Sequence, residues 1–405
     1  MWGCFVLCFV LLVFPITVSS VQIINYFQND DEASTPEMAH NHGYLCETHE
    51  VITQDGFVLS VHRLPGGRVS KKNASLTPVL LQHGLLDSSA DWLIAGPGKA
   101  LGYVLADQGY DVWMGNARGN IYSRKHQTLH PDNTRFWNWT WHEMGTYDLP
   151  AVIDHILNVT GHRQIYYVGH SMGTTMFFVL CSKRPEYNGK VKYMAAMAPV
   201  AYMLHTTSPI RYLSRFAHSF EIIYDYFGHG QFLPRNQFVD DILKAACEMF
   251  EFEEKICENW LFVICGHDPA QFEKKLLPLI LGHNPAGTST KTLVHYAQEI
   301  KSGKFQQFDY GSSKNLVKYN TTDPPQYNLS LVTVPISLHC GDNDLLANLL
   351  DVQELFKGLA QPVGMYLVNF KGWNHLDFLW GRDAPTLVYD QIDKLFRRYS
   401  HPVEF

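Results

Sequence analysis

The chain has 405 residues, of which 46% are hydrophobic and 18% are charged, and its formal net charge is −7 at pH 7. This composition is typical of a globular protein with a large buried core, and it excludes an intrinsically disordered chain. No long run of basic residues occurs. Neither nucleic acid nor a polybasic contact with a membrane surface is therefore expected.

The first 20 residues differ in character from the rest of the chain. Met1 to Val18 is almost wholly apolar, and Val18-Ser19-Ser20 offers small residues for cleavage. This pattern predicts a secretory signal peptide, and no later stretch reaches the ~18 apolar residues that a membrane-spanning helix needs. We therefore expect a secreted or lysosomal protein without a transmembrane segment.

Sequons for N-glycosylation occur along the remaining chain. They stand at Asn73, Asn138, Asn158, Asn320 and Asn328. Behind a signal peptide, they support a secretory route and are candidate glycosylation sites.

Strands and helices are predicted to alternate along the chain. Gly43 to Leu64 predicts two strands joined by a hairpin turn at Asp55-Gly56. Short aromatic and β-branched runs predict further strands at 78–82, 110–114, 164–168, 191–199, 334–340 and 365–370. Helices are predicted over 143–157, interrupted or kinked by Pro150, and from about residue 174 towards Pro185. This alternation predicts an α/β fold with a mostly parallel central sheet covered on both faces.

The pattern becomes helical between residues 202 and 326. One predicted helical face carries Leu213, Phe216, Phe220, Ile223 and Tyr224. We predict a core formed by 21–201 and 327–405, with 202–326 inserted as a helical cap or lid. The alternative is a subdomain that serves packing alone. A cap suits an apolar substrate, which needs an apolar pocket that can close.

The pentapeptide Gly169-His170-Ser171-Met172-Gly173 lies between a predicted strand and a predicted helix. That is the setting of a G-x-S-x-G nucleophile elbow. Its sharp turn exposes the serine hydroxyl and places the next backbone N–H at a helix N-terminus. The pattern alone is weak, because an ordinary β–α turn can carry a serine by chance. Ser171 is the candidate nucleophile, and His170 is interpreted as a packing residue of the turn.

The last two predicted strands each end in a residue that could help to activate a serine. These residues are Asp344 and His375, and both lie just past the carboxyl end of a strand, where α/β sheets bind ligands. A histidine base takes the serine proton, and a buried carboxylate fixes the tautomer of that histidine. Asp342 is the alternative acid, whereas Asp377, two residues from His375, is a candidate for a local salt-bridge partner instead. The order Ser171, Asp344, His375 is that of an α/β-hydrolase.

The backbone N–H groups of Leu85 and Met172 are the predicted oxyanion hole. Leu85 lies in the loop that follows the strand 78–82, and Met172 directly follows the candidate nucleophile. No metal signature such as HExxH or paired CxxC occurs, so neither a metal nor a cofactor is expected.

Two further features are interpreted as structural. Arg118 could bind an anion, but an ion pair within the fold is its expected role. Trp137, Trp139 and Trp141 crowd one short segment, which we expect to form a wall of the core.

The chain as a whole resembles the acid lipases, the family of gastric and lysosomal lipases. The resemblance runs from Gly43 to Phe396 and is carried by LQHGLLDSSADW (81–92), GYDVWMGNARGN (109–120), YDLPAVIDHI (147–156), YVGHSMGTT (167–175), GHNPAGTS (282–289), SGKFQQFDYG (302–311), GDNDLLA (341–347) and NHLDFLWGRDAP (374–385). It implies an α/β-hydrolase fold with a lidded cap, and triacylglycerol or cholesteryl ester substrates. It also implies Ser171, Asp344 and His375 as a catalytic triad. Met172 stands where the family usually has Gln, but only its backbone N–H is needed for the oxyanion hole.

Cysteines remain after removal of the predicted signal peptide. They are Cys46, Cys181, Cys247, Cys257, Cys265 and Cys340. So few cysteines are not a disulfide scaffold in a chain of this length. The family resemblance implies a Cys247–Cys257 disulfide in the lid and a reduced Cys265. The alternative is that all of them are buried thiols.

The sequence therefore predicts a lipase that hydrolyses carboxylic esters of neutral lipids at a lipid–water interface, through an acyl-serine intermediate. Two alternatives stay open at this point. One is a catalytically inactive lipid-binding protein on the same scaffold, and the other is a short-chain esterase.

Overall fold

The computed structural model describes residues 30–69, 76–216, 230–232, 264–266 and 268–400. The predicted signal peptide, the sequon at Asn73 and the predicted Cys247–Cys257 pair lie outside these residues. The strands are β1 (Glu47–Ile52), β2 (Phe57–Leu64), β3 (Thr77–Gln82), β4 (Tyr110–Met114), β5 (Lys125–His126), β6 (Ile165–His170), β7 (Val191–Met197), β8 (Gln231–Phe232), β9 (Thr288–Ser289), β10 (Ile336–Cys340) and β11 (Pro362–Leu367).

Helices flank and connect these strands. The α-helices are α1 (Thr35–Asn41), α2 (Leu101–Asp107), α3 (Trp141–Glu143), α4 (Leu149–Thr160), α5 (Met172–Lys183), α6 (Leu277–His283), α7 (Thr290–Ser302), α8 (Ser312–Tyr319), α9 (Leu349–Gly358), α10 (Asp377–Trp380) and α11 (Asp390–Arg398). Short 3₁₀ or π turns occur at Ser89–Trp92, Thr134–Trp137, Met144–Asp148, Pro185–Lys190, Pro209–Phe216, Lys274–Leu276, Leu329–Leu331 and Pro385–Tyr389. No helix in the described part of the chain is long and apolar enough to cross a membrane.

Most of the strands belong to one twisted sheet, in the order β1-β2-β4-β3-β6-β7-β10-β11, with β5 paired to β2. From β4 to β11 the neighbours run parallel. At the other edge, β1, β2 and β5 add in antiparallel fashion. The parallel strands β3, β4, β6 and β10 are buried along nearly their whole length, because helices flank the sheet. The predicted α/β fold with a mostly parallel sheet is therefore confirmed.

The sheet has a topological switch point at β3. The chain leaves β3 towards β4 on one side and later returns to β6 on the other side. Loops that follow β3 and β6 therefore diverge at the carboxyl edge of the sheet and leave a crevice between them. That crevice is where the candidate catalytic residues are expected.

Local sequence signals account for most element boundaries. The hairpin between β1 and β2 turns at Asp55-Gly56, with the Gly56 N–H donating to the carbonyl of Thr53 at 3.0 Å. The last strand is an exception, because it spans Pro362–Leu367 and not the predicted 365–370. As the edge strand of the sheet, β11 tolerates a proline at its first position.

The predicted interruption at Pro150 is a change of helix type. A π turn over Met144–Asp148 runs directly into α4, in whose first turn Pro150 lies. Because the helix already continues through the π turn, where the Leu149 N–H donates to the Met144 carbonyl five residues earlier, the change of helix type accommodates the missing N–H of Pro150.

Both features interpreted as structural have that role. Arg118 is buried, and its guanidinium lies 2.6 Å from both Asp55 Oδ2 and Asp148 Oδ1. The tryptophans at 137, 139 and 141 are buried in the core. The expected ion pair and the expected core wall are thus confirmed.

The predicted cap, residues 202–326, is described in part. It contains α6, α7, α8 and the small β8–β9 sheet. Helix α7 packs on the core, where the Tyr296 hydroxyl lies 3.2 Å from Thr175 Oγ1 and His295 stacks on Trp141 at 3.7 Å between ring centroids. The side chains of the helical face predicted from Leu213 to Tyr224 lie outside the described part. The division of the chain into core and cap stays a prediction.

Candidate active site

The backbone of Ser171 is held in an unusual conformation between β6 and α5. Its φ is 51° and its ψ is −117°, a combination that residues other than glycine rarely adopt. Its N–H donates to the Met197 carbonyl at 3.1 Å, and its own carbonyl accepts from the Thr174 N–H at 2.9 Å. This is the strained strand-to-helix turn that a nucleophile elbow requires.

Crowding explains the two glycines of the elbow. A Cβ on Gly169 would lie 2.9 Å from the Gly173 carbonyl carbon, and a Cβ on Gly173 would lie 2.2 Å from the Gln82 carbonyl oxygen. Neither glycine needs a left-handed φ. Both positions therefore exclude a side chain because α5 lies directly against the ends of β3 and β6.

The loops after β10 and β11 bring Asp344 and His375 together. His375 Nδ1 lies 2.8 Å from Asp344 Oδ2 and 3.0 Å from Oδ1, and both residues are buried. Asp344 Oδ1 is also held by the backbone N–H groups of Leu346 at 2.9 Å and Ala347 at 2.8 Å. Because a carboxylate accepts, Nδ1 of His375 carries the hydrogen, and Nε2 is left with a lone pair.

The other two aspartates near this site have different partners. Asp342 is exposed, and its Oδ1 accepts the Gly372 N–H at 2.8 Å. Asp377 accepts the Asn374 N–H at 2.7 Å while its own N–H donates to Asn374 Oδ1 at 3.1 Å. Burial and the neighbouring Asp268 raise the pKa of Asp377 to about 8. The described residues give Asp377 no ion pair, and its carboxyl group instead closes the turn that carries His375.

The loop after β3 lies against the elbow. A Cβ on Gly84 would be 3.2 Å from Ser171 Cβ, which places Leu85 beside the candidate nucleophile. The next residue, Leu86, has a φ of 67°, and its carbonyl accepts the Ala286 N–H at 2.6 Å. Met172, the other predicted oxyanion residue, is the first residue of α5, and the N–H at this position has no intrahelical partner.

The hydroxyl of Ser171 forms no hydrogen bond with another residue of the described ranges. Nucleophile–base contacts are often long in a serine hydrolase without substrate and tighten when substrate binds. Among the described residues, no group of three His, Cys, Asp or Glu side chains could hold a metal ion. The arrangement at this edge can thus supply a nucleophile, a base oriented by a carboxylate, and backbone donors for an oxyanion.

The predicted glycosylation sites occupy surface positions where the structure describes them. Asn138, Asn158, Asn320 and Asn328 are exposed. Of the cysteines, the structure describes Cys46, Cys181, Cys265 and Cys340, and these are free and buried. Glycosylation and the Cys247–Cys257 disulfide stay predictions.

Sequence reasoning missed several residues that build this edge. His83 donates from Nδ1 to the Gly84 carbonyl at 2.8 Å and accepts the Ala117 N–H on Nε2 at 3.0 Å, which fixes the loop after β3. Burial lowers the pKa of His83, in keeping with this neutral tautomer. The only local signal for it was its place, next to Gly84, at the end of a central strand.

A short segment of the predicted cap also contacts the catalytic loops. The carbonyl of Cys265 accepts the His375 N–H at 3.3 Å, and the carbonyl of Gly266 accepts from Asn374 Nδ2 at 2.9 Å. These contacts join residues about 110 positions apart in the chain. No local pattern in the sequence could have indicated them.

A strained serine between strand and helix, with a histidine–aspartate pair at the same edge of a parallel sheet, defines an α/β-hydrolase. Residues 35–96 match the family described as a partial α/β-hydrolase lipase region, and residues 77–234 match the α/β hydrolase fold family. A solved structure of epoxide hydrolase from Vigna radiata has a TM-score of 0.50 at 15% identity, over 87% of this chain and 98% of that one. At that identity the likeness shows the fold alone.

Comparison with curated proteins is more specific. The chain is 42% identical over 352 residues to gastric triacylglycerol lipase from Rattus norvegicus, covering 86% of this chain and 88% of that protein. It is 41% identical over 360 residues to lysosomal acid lipase/cholesteryl ester hydrolase from Homo sapiens, covering 88% and 89%. The chain belongs to the acid lipase family, which comprises the gastric and lysosomal lipases.

Proposed function

We propose that this chain is a lipase that hydrolyses the carboxylic ester bonds of neutral lipids, with triacylglycerols and cholesteryl esters as candidate substrates. The observation that carries the proposal is the buried His375–Asp344 pair at the sheet edge where Ser171 is held in a strained turn. The substrate class is supported by the family, because the relatives are a gastric triacylglycerol lipase and a lysosomal acid lipase/cholesteryl ester hydrolase.

In the proposed reaction, Ser171 Oγ attacks the ester carbonyl carbon while Nε2 of His375 takes the hydroxyl proton. Asp344 keeps the imidazole in the tautomer with a lone pair on Nε2 and stabilises the imidazolium that forms. His375 then gives the proton to the alkoxide oxygen of the leaving alcohol. The products of this half are a free alcohol and an acyl-serine. Water, activated by the same histidine, hydrolyses the acyl-serine and releases a fatty acid.

A tetrahedral intermediate with a negatively charged oxygen forms in both the acylation and the deacylation half of the reaction. We assign its stabilisation to the backbone N–H groups of Leu85 and Met172. Each such donor is worth about 3 kcal/mol of barrier in a preorganised site. A methionine in place of the family's usual glutamine after the serine leaves this backbone donor unchanged.

The proposed site of action is a lipid–water interface reached through the secretory pathway, either outside the cell or in the lysosome. Residues 1–20 are the proposed signal peptide, and the exposed sequons are the proposed glycan sites. Removal of residues 1–20 should abolish secretion and leave the expressed protein without N-glycans, so that glycosidase treatment does not change its mass. A secreted, glycosylated truncation would reject this route.

A long-chain alkyl phosphonate tests the catalytic proposal directly. We expect the purified protein to be labelled on Ser171, as read by peptide mass spectrometry, with loss of hydrolysis in proportion to labelling. Ser171→Ala should not be labelled and should lose about 10⁴-fold or more in kcat, because triad members act as a unit. A folded wild-type protein that neither reacts with the phosphonate nor hydrolyses esters would establish the inactive lipid-binding alternative.

A substrate series separates the lipase from a short-chain esterase. Emulsified triolein, cholesteryl oleate and dissolved tributyrin should be compared at equal enzyme concentration, at acidic and neutral pH. We expect turnover of at least one long-chain substrate in emulsion. Hydrolysis of tributyrin alone would assign the protein to the short-chain esterases.

A further inference from the structure

The residue before the candidate nucleophile contacts the candidate base. His170 is buried at the end of β6, and its Nε2 lies 2.9 Å from the main-chain carbonyl oxygen of His375. The two imidazole rings are 4.9 Å apart between centroids and inclined by 52°. Since a carbonyl oxygen only accepts, Nε2 of His170 must carry a hydrogen and donate it.

The other nitrogen of the same ring faces the loop of the predicted oxyanion hole. Nδ1 of His170 lies 3.8 Å from Asp87 Oδ2, and it has no hydrogen-bond partner within the described part of the chain. The same Asp87 oxygen accepts the Gly84 N–H at 3.1 Å. A Cβ on Gly84 would lie 3.1 Å from His170 Nδ1, so the His170 ring packs directly against the backbone of Gly84. One imidazole therefore spans from the His375 backbone to the Gly84 turn.

We propose that His170 is a positioning residue for ester hydrolysis, which holds the main chain of the candidate base at a fixed distance from the nucleophile elbow through its Nε2–H, while its ring packs against the oxyanion turn that Asp87 closes. The proposal rests on the proposed roles of Ser171, His375 and Leu85. It replaces the interpretation of His170 as a simple packing residue, because packing requires only the shape of the ring.

The geometry gives the positioning role a physical reason. His375 is anchored through its side chain to Asp344 and through its N–H to the Cys265 carbonyl. Its own carbonyl is held by His170 alone among the hydrogen bonds of the described residues. Loss of that bond leaves the peptide unit after His375 anchored at its nitrogen end alone, where the Leu376 N–H donates to Asn374 Oδ1 at 2.8 Å, so we expect the carbonyl end to shift and to move the ring relative to Ser171.

The effect should appear in the chemical step. Displacement of a catalytic group by about 1 Å can cost about 10²-fold in rate. His170→Phe keeps an aromatic ring, slightly larger than imidazole, and removes both nitrogens, so we expect kcat on a soluble p-nitrophenyl ester to fall by about 30- to 100-fold with KM changed less than about threefold. His170→Gln can still donate from its amide nitrogen to the His375 carbonyl, and we expect it to recover kcat to within about fivefold of wild type.

A matched control is available on α7. His295 is also buried, and its Nε2 lies 3.0 Å from a main-chain carbonyl, that of Gln306, but it does not contact the candidate site. His295→Phe should lower the melting temperature without changing kcat of the folded fraction by more than about threefold. Folded enzyme in every sample is counted by stoichiometric phosphonate labelling of Ser171.

A double-mutant cycle tests the path through Asp87. Asp87→Ala should reduce kcat by about tenfold, and adding it to His170→Gln should cost less than the product of the two single effects, because both residues act along one chain of contacts. This cycle also decides the question if His170→Phe fails to fold.

Three results would overturn the inference. They are a folded His170→Phe with wild-type kcat, a His170→Gln no better than His170→Phe, and additive effects in the cycle with Asp87→Ala. If instead the wild-type protein neither hydrolyses esters nor labels on Ser171, the proposed function itself has failed, and the comparison of His170 variants is not reached.

Discussion

Gly173→Ala should damage the candidate active site without removing any polar group. The Cβ that it adds would stand 2.2 Å from the Gln82 carbonyl oxygen, 2.9 Å from the Gln82 carbonyl carbon and 3.0 Å from the His83 carbonyl oxygen. Ordinary contact between a methyl carbon and an oxygen needs about 3.2 Å or more, so roughly 1 Å of backbone movement is required. Both neighbours are backbone at the end of the central strand β3, and no side-chain rotation can relieve the clash.

Two magnitudes follow from that displacement. Overpacking against backbone should lower the free energy of unfolding by about 1–3 kcal/mol. We expect a value towards the upper end, because the contact is with main-chain atoms that no side-chain rotation can move. A shift of about 1 Å between α5 and the loop after β3 separates the Met172 and Leu85 N–H groups, and we expect kcat/KM to fall by about 10²-fold. Chemical denaturation and initial rates on a soluble ester measure the two effects.

Gly189→Ala is the matched control for this prediction. Gly189 is exposed, has no heavy atom within 4 Å of an added Cβ and does not adopt a left-handed φ. Its substitution should change stability by less than about 0.5 kcal/mol and leave kcat/KM unchanged. A Gly173→Ala enzyme that behaves like Gly189→Ala would show that the crowding at the elbow has been misread.

Three further predictions concern other parts of the chain. Asp344→Asn should lower kcat by about 10⁴-fold, because the amide can donate to Nδ1 of His375 and favour the wrong tautomer. Asp342→Asn should keep kcat within about fivefold of wild type. The reverse ranking in steady-state kinetics would transfer the acid role to Asp342. Burial raises the pKa of Glu299 well above its usual range, and neither of its oxygens has a hydrogen-bond partner within the described part of the chain. Its folded state holds the proton more tightly than the unfolded state, so its contribution to stability is complete below about pH 4 and is lost as pH rises through the folded pKa. Glu299→Gln should therefore raise the melting temperature at pH 8 by about 2–4 °C and leave it nearly unchanged at pH 4, and an equal shift at both pH values would reject the ionisation argument. Peptide mapping without reductant should find Cys247 linked to Cys257 and Cys265 open to alkylation after unfolding; a bridge to Cys265 would mean that the segment is held in another way.

The sequence predicted those strands and turns that are determined by residues adjacent in the chain. The strand β4 lies at the predicted 110–114, and the hairpin turn at Asp55-Gly56 is present, because hydrophobic alternation and turn chemistry are local properties. The same is true of the strained turn at Ser171, which follows from glycine spacing between a strand and a helix.

What the sequence did not predict are contacts between loops that lie far apart in the chain. Nothing beside His170 in the sequence indicates that its Nε2 lies 2.9 Å from the carbonyl of His375, 205 positions later. The start of β11 was missed for a different reason. Pro362 and Gly364 are strand-breaking residues in the interior of a sheet, and only the position of β11 at the edge makes them acceptable.

Contacts from the predicted cap constrain how that cap could open. Its residues 265 and 266 hold the turn of His375 through their carbonyl groups. On the other side, Asn284 Nδ2 donates to Asp91 Oδ1 at 2.7 Å, and the Ala286 N–H donates to the carbonyl of Leu86 in the loop of the predicted oxyanion hole. A rigid displacement of the described part of 202–326 would therefore pull on the candidate base and on the predicted oxyanion donors together. If the predicted cap opens to admit a lipid, residues 265–266 and 284–286 must therefore stay in place for the contacts with the turn of His375 and with the loop after β3 to persist.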